Sequence, residues 1–598
     1  MIIRYTVRAP EPADHRGSFS IDLEDVHDPT LDLVLPSWVP GSYHIVNYVR
    51  GFRGLSARAL PEGTALPVER VDKARWRVRT AGASKVRVDY TVYGHEMVTE
   101  AFDLSPDHLF VNAALCLPYV DRHIADPVEV DLEVPSDWRA VTELEPAGPS
   151  RFRAPDYDRL VDEPIDVGRP VVLTIRPGGI PHRISLCGEG GNYDAQRLEN
   201  DIGKIVEATI RLVGESPLTS YTFFYHLNDV SDGGLEHANS NSCVVPRTTF
   251  APPEDYLRFL GLTSHEYFHL YNVKRIRPKV LGPFDYTREV YTRLLWWMEG
   301  TTDYFSELIL RRAGIYSPSK FLAEQARLAR TYLDTPGRRT MSLEEGSFLA
   351  WVDHYQPFEE SPNQSVSYYL KGGLVSMCLD LEIRHRTETR GSLETVLRTL
   401  WTEYGRTGRG LEEDELLPVA NRATGLDLTA FFDRYVRGTA EIDFDAFARF
   451  AGLGFGPKPK PADDETPEAG YLGVRIENSG GLARVRFVLL DTPGRRAGLT
   501  PGDEIAAING VRVTFEKFDQ TMARYPPGTP LDLAVFRRGY LRHVRLTTGT
   551  PPPEKYAFTP VDGASDLARK VYESWVGAPW EPPSDGRKAP AAPAGRAA

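Results

Sequence analysis

Over the first 175 residues polar and apolar positions alternate. RWRVRT (75–80), KVRVDYTVY (85–93) and VEVDLEVP (128–135) repeat with period two, the signature of strands with one buried face. Proline and glycine punctuate these runs. An N-terminal β-sandwich or saddle is expected over residues 1–175. Near residue 192 the period changes. Ile202, Ile205, Val206, Ile210 and Val213 form a helical stripe. The segment YTFFYHL (221–227) reads as a strand, and helical patterns then dominate residues 254–450, including the whole of EVYTRLLWWMEGTTDYFSELILRR (289–312). Residues 176–455 are therefore expected as an α-rich domain with a small sheet.

Residues 456–468 are rich in proline and charge and read as a linker. Strand patterns return in YLGVRIE (471–477), LARVRFVLL (482–490), LDLAVFRR (531–538) and RHVRLTT (542–548), giving a β-module at 469–551. The extension 552–598 ends in a Pro/Ala-rich stretch and is expected to be partly disordered. The fold class is multidomain α+β, and 598 residues suit three or four domains.

Composition narrows the function. A net charge of −13 argues against general nucleic-acid binding, which needs a basic face. Cys116, Cys187, Cys243 and Cys378 form no CxxC pair, which disfavours a thiolate metal site or a disulfide scaffold. No apolar run reaches the length of a membrane span. The start, MIIRYTVRAPEPADHRG, lacks a signal-peptide pattern. A cytoplasmic protein is expected, or a periplasmic one if a leader preceded Met1.

The chemistry concentrates in TSHEYFHLYNVKRIRP (263–278). On a helix, His265 and His269 stand one turn apart on one face, so both imidazoles can reach one ion. Glu266 is offset by one position and points beside the ion, where it can act as a base. A catalytic zinc needs a third protein ligand. WWMEGTTDYF offers Glu299, thirty positions after His269 and flanked by Trp296, Trp297, Met298 and Tyr304. An unpaired glutamate there would be costly. Asp303, four residues further, is placed to hold a ligand histidine.

HEYFHLYNVKRIRP followed by WWMEGTTDYF resembles the glycyl aminopeptidase family, a branch of the gluzincin metallopeptidases. LPSWVPGSYHIVNYVRGF (35–52) is similar to a signature of that family's β-domain. The resemblance implies a thermolysin-like catalytic domain and one Zn2+ per chain, held by His265, His269 and Glu299. Glu266 is the implied base, and Asn272 opens the family's Asn-Val-Lys-Arg run and supports the ligands. SDGGLEHANS (231–240) is similar to the Gly-x-Met-Glu-Asn segment of aminopeptidase N relatives, with Leu235 and His237 departing from it. There Gly233 and Gly234 would admit a substrate backbone and Glu236 would hold a free α-amino group; an ordinary turn with a surface glutamate is the alternative. VSYYLKGG (366–373) is similar to the segment carrying their catalytic tyrosine, which makes Tyr369 the oxyanion partner. Tyr368 is adjacent, and an aromatic packed at a helix start is the other reading. Residues 469–551 resemble a PDZ domain, with GYLGV (470–474) as its carboxylate-binding loop.

The function expected is a zinc aminopeptidase acting on peptides with a free N-terminus, preferring Gly or Ala, with a C-terminal peptide as a further ligand of the PDZ module. One rival is a zinc endopeptidase that recruits substrates through that module. The other is a metal-stabilised scaffold without activity, for which an intact Glu266 would be superfluous.

Overall fold

The computed structural model describes residues 1–229, 233–458 and 468–582. Ser231 and Asp232 of the SDGG segment, most of the 456–468 linker and residues 583–598 of the tail lie outside the described residues. The chain is a multidomain mixture of helix and sheet, with a β-rich N-terminal unit and a helical unit behind it.

The N-terminal unit is built as its alternation predicts. In Lys85–Tyr93 the side chains of Val86, Val88, Tyr90 and Val92 point inward and their neighbours point out. This strand lies near the middle of an eight-stranded sheet between Arg16–Glu24 and Phe52–Ala59. Two four-stranded sheets complete the unit around a separate apolar core.

The second unit begins earlier than its boundary at residue 176. Val171–Ile175 pairs antiparallel with His182–Cys187, so it joins the next sheet and not the preceding one. That five-stranded sheet runs Val171–Ile175, His182–Cys187, Tyr221–Asn228, Ser240–Pro246, Gly233–Glu236, with Gly233–Glu236 as one edge. Helix Ala195–Val213 starts at Asp194, whose side chain accepts from the Arg197 N–H, and stops at Gly214 with φ 108°. Helix Pro253–Phe268 packs against this helix and against Thr301–Arg312.

One other expectation is corrected. Residues 289–294 are not helical. Glu413 accepts from the Thr292 hydroxyl at 2.5 Å and from the Arg293 N–H at 2.7 Å, which holds this stretch extended. A single π-helical turn, Trp296–Gly300, then leads into Thr301–Arg312. The C-terminal extension is folded through residue 582, while the disorder expected of its Pro/Ala-rich end falls on residues outside the described ones. Strand Tyr556–Pro560 pairs with Leu453–Pro457, so the linker's first two residues are in a strand. Helix Asp566–Val576 buries Val571, Trp575 and Val576 in the core of the second unit. The Trp575 indole donates to the Tyr304 hydroxyl at 3.0 Å.

Between these paired strands sits the third unit. Its strands run in the order Val474–Ser479, Leu482–Val488, Glu504–Ile508, Pro530–Arg537, Tyr540–Thr547 over a core of its own. It is fixed to the helical unit by Asn363, which donates to the Val488 carbonyl at 2.8 Å and accepts from the Leu490 N–H at 2.9 Å.

Candidate metal centre

Helix Pro253–Phe268 delivers His265 and Glu266 at its last turn and caps with His269. The π turn delivers Glu299; such turns widen a helix by one residue and re-aim a side chain. His265 Nε2 and His269 Nε2 are 2.9 Å apart. Glu299 Oε2 is 3.6 Å from the first and 3.2 Å from the second. Three ligand atoms at zinc-bonding distance in a tetrahedron would be about 3.3 Å apart.

The outer nitrogens fix the protons. His269 Nδ1 donates to the Asn272 carbonyl at 2.8 Å, since a carbonyl only accepts. His265 Nδ1 faces Asp303 Oδ1 at 2.8 Å. In the neutral rings both Nε2 lone pairs therefore face each other and a carboxylate oxygen. Such a set of acceptors is stable around a cation, and its chemistry and spacing fit zinc.

The supports are built into the same segments. Asn272 spends its side-chain amide on the π turn, donating to the carbonyls of Trp297 (2.8 Å) and Met298 (3.2 Å) and to Thr302 Oγ1 (3.0 Å). Its backbone thus orients His269 while its side chain fixes the turn that carries Glu299. Gly300 lets helix Tyr368–Arg386 approach: a Cβ there would lie 2.6 Å from Gly372 Cα. This contact brings the Tyr369 ring alongside His265, with centroids 6.3 Å apart.

Glu266 is buried, and its Oε2 has no hydrogen-bond partner. Burial pushes its carboxyl up to about 7, a tendency that a bound dication opposes. The edge strand Gly233–Glu236 crosses directly over it, and a Cβ on Gly234 would lie 2.2 Å from Glu266 Oε1. Glu236, at the end of that strand, is 4% exposed. Its carboxylate lies within 4.8 Å of donor atoms of both Glu266 and His269.

Residues 258–375 match the M61 glycyl aminopeptidase family, and residues 4–169 match the N-terminal domain of M61 peptidases. Together these two matches, both to M61 peptidases, cover just under half of the chain. The fold of the chain is similar to that of a solved aminopeptidase N family protein from Idiomarina loihiensis, at 29% identity and a TM-score of 0.89, covering 96% of this chain and 100% of that one. An M1 zinc metallopeptidase from Deinococcus radiodurans aligns over 74% of this chain and 94% of its own, at 14% identity and a TM-score of 0.47. A carboxy-terminal-processing protease from Bartonella bacilliformis is 33% identical over 85 residues, 14% of this chain and 20% of the relative. The chain spans about a fifth of the length of the curated relatives it matches.

Nine of the ten residues singled out from the sequence fall within or beside the centre; the tenth, Gly233, has among the described residues only Thr99 near its Cβ position. Sequence reasoning missed the share of the N-terminal unit. A Cβ on Gly41 (φ 104°) would meet the Glu236 carboxylate at 2.8 Å, so this loop closes over Glu236. Tyr43, two residues on, is fully buried beside Tyr355. The signal was the segment 35–52, noted as a signature without roles for its residues. Tyr355 was also missed: its hydroxyl is 3.5 Å from that of Tyr369. Tyr368 is turned into the core, and its hydroxyl has no partner.

Proposed function

We propose that the chain is a zinc-dependent aminopeptidase that removes small N-terminal residues, glycine or alanine, from peptides. Its zinc is held by His265, His269 and Glu299. Bound there, the ion would supply Lewis-acid polarisation of the scissile carbonyl and a more acidic water. Glu266 accepts the proton of the attacking water at Oε2 and passes it to the leaving amine. The Tyr369 hydroxyl donates to the developing oxyanion, backed by Tyr355. Asp303 and Asn272 hold the ligand rings.

The position of Glu236 carries the exopeptidase reading. A substrate ammonium placed next to a dication needs a compensating carboxylate. Glu266 and Glu299 have other roles, and Glu236 is the third carboxylate at the centre. It ends an edge strand onto which a short peptide backbone can add. A cavity of about 290 Å³ opens on Glu236 between Trp38, Gly41, Tyr43 and Val273. The description of the matching family supports the preference for small residues.

The third unit is read as a PDZ module that takes a peptide C-terminus at residues 470–474. Supporting this, Val474–Ser479 ends its sheet and pairs only with Leu482–Val488 among the described residues.

The deciding test compares aminoacyl substrates with free and acetylated N-termini. Glu236→Gln removes the charge and keeps the shape. A charge-assisted hydrogen bond is worth about 1.5–3 kcal/mol, so kcat/KM on free amines should fall roughly ten- to a hundredfold with zinc content unchanged. Efficient cleavage of acetylated peptides at internal bonds, indifferent to Glu236, would establish the endopeptidase instead.

A further inference from the structure

Away from this centre, one other group of buried metal-ligating side chains stands out among the described residues. His108, Asp166 and His226 offer donor atoms that all lie within 4.8 Å of one another. They join two units. His108 and Asp166 lie on the paired strands His108–Val111 and Ile165–Gly168 of the N-terminal unit. His226 lies on Tyr221–Asn228 of the catalytic sheet. Their exposures are 7%, 1% and 2%, so the junction is sealed from solvent.

The polar accounting there does not close. Asp166 Oδ1 is 2.5 Å from His108 Nε2 and 3.7 Å from His226 Nε2. Among the described residues, neither ring nitrogen of His226 has a hydrogen-bond partner. The nearest ring is Phe110, edge-on at 4.7 Å, which offers nothing polar. A buried imidazole with two unmatched nitrogens is expensive. A cation bonded to both imidazoles and the carboxylate would satisfy all three groups.

We propose that His108, Asp166 and His226 form a second metal site, for zinc or a similar borderline divalent ion, that clamps the N-terminal unit to the catalytic sheet. The two separations from Asp166 Oδ1 bracket the spacing of about 3.3 Å between tetrahedral zinc ligands, so small side-chain shifts complete the site. Two imidazoles and a carboxylate are a zinc-type donor set. His108 Nδ1 faces Asp103 Oδ2 at 3.6 Å, the arrangement in which a carboxylate orients a ligand histidine. Binding displaces the proton shared by His108 and Asp166.

The test is metal content of the full chain, loaded with zinc and stripped of loose metal on a chelating resin. Wild type should carry two zinc ions, and the H265A/H269A variant one. His226→Gln should carry one, and its combination with H265A/H269A none. Asp166→Asn serves in the same way if His226→Gln does not fold, as judged by circular dichroism. Cobalt(II) added to H265A/H269A should give ligand-field absorption that His226→Gln removes. One zinc in wild type with none in H265A/H269A would overturn the proposal, and these two measurements need no variant at the new site. Folded His226→Gln that still holds two ions would overturn it equally.

Discussion

Replacing Gly234 with alanine separates the position of the base from everything else in the centre. The added methyl would sit 2.2 Å from Glu266 Oε1, 2.3 Å from Cδ and 2.6 Å from Cγ. Non-bonded carbon atoms rest at about 3.5–4 Å, so the carboxylate has to retreat by about an ångström. A displacement of that size costs roughly a hundredfold in rate when it affects a reacting group. The backbone does not object, because Gly234 lies outside the left-handed region. Overpacking against a movable side chain should cost about 1 kcal/mol of stability. None of the three atoms met by the methyl belongs to a zinc ligand, so metal content should stay at the wild-type value. Steady-state kinetics on a free-amine substrate should therefore show kcat down about a hundredfold and KM little changed. Gly233→Ala is the matched control: its methyl finds only Thr99 Cγ2, at an ordinary 3.5 Å, and should leave kcat alone. Wild-type kcat in Gly234→Ala, or an equal loss in Gly233→Ala, would refute the idea that this strand seats the base.

Three further changes probe the supports. Asn272→Ala strands two buried carbonyls of the π turn; urea unfolding should show a loss of about 3 kcal/mol, and zinc affinity should drop roughly 10–100-fold. Trp575→Ala empties a fully buried site between the tail helix and Tyr304; it should cost about 3–5 kcal/mol, and an unchanged unfolding midpoint would mean the tail is not part of the core. Glu307, one turn after Asp303, has a buried oxygen without a partner, and burial with Glu324 and Asp303 nearby pushes it up to about 8. Its native pKa thus exceeds the unfolded value, so wild-type stability should fall as pH rises from about 4.5 to about 8 and then level off. Glu307→Gln should match wild type at the acid end of that window and exceed it increasingly towards pH 8; denaturant melts at several pH values would show parallel curves if the carboxyl were not buried.

The metal cluster was legible because its parts are local. Two histidines four apart share a helix face, and Glu299 betrays itself by lying among Trp296, Trp297 and Tyr304. What escaped depends on distant partners. Nothing near residue 41 says that its glycine will close over residue 236. The extended stretch 289–294 has helical periodicity, and only Glu413, over a hundred residues away, overrides it. The tail helix is a different failure. Ala568, Val571, Tyr572, Trp575 and Val576 follow a clear 3-4 spacing, but proline-rich flanks drew attention to composition and away from period. The orphaned ring nitrogens of His226 could not be foreseen at all, since satisfaction of a polar group is a property of the folded neighbourhood.

The pairing of Leu453–Pro457 with Tyr556–Pro560 makes the third unit an insertion into the catalytic body, not an appendage at its end. The chain leaves and re-enters through neighbouring strands, where the Lys458 N–H still reaches the Lys555 carbonyl at 2.8 Å. A stop codon before the module would therefore also remove the last strand and helix of the enzyme. Excision is different: a short turn joining residues 458 and 555 would span strands only about 5 Å apart. The same connectivity sets the order of events on the ribosome. The hydrolytic body cannot close until the inserted unit has been made, so its core is completed only by residues synthesised after that unit.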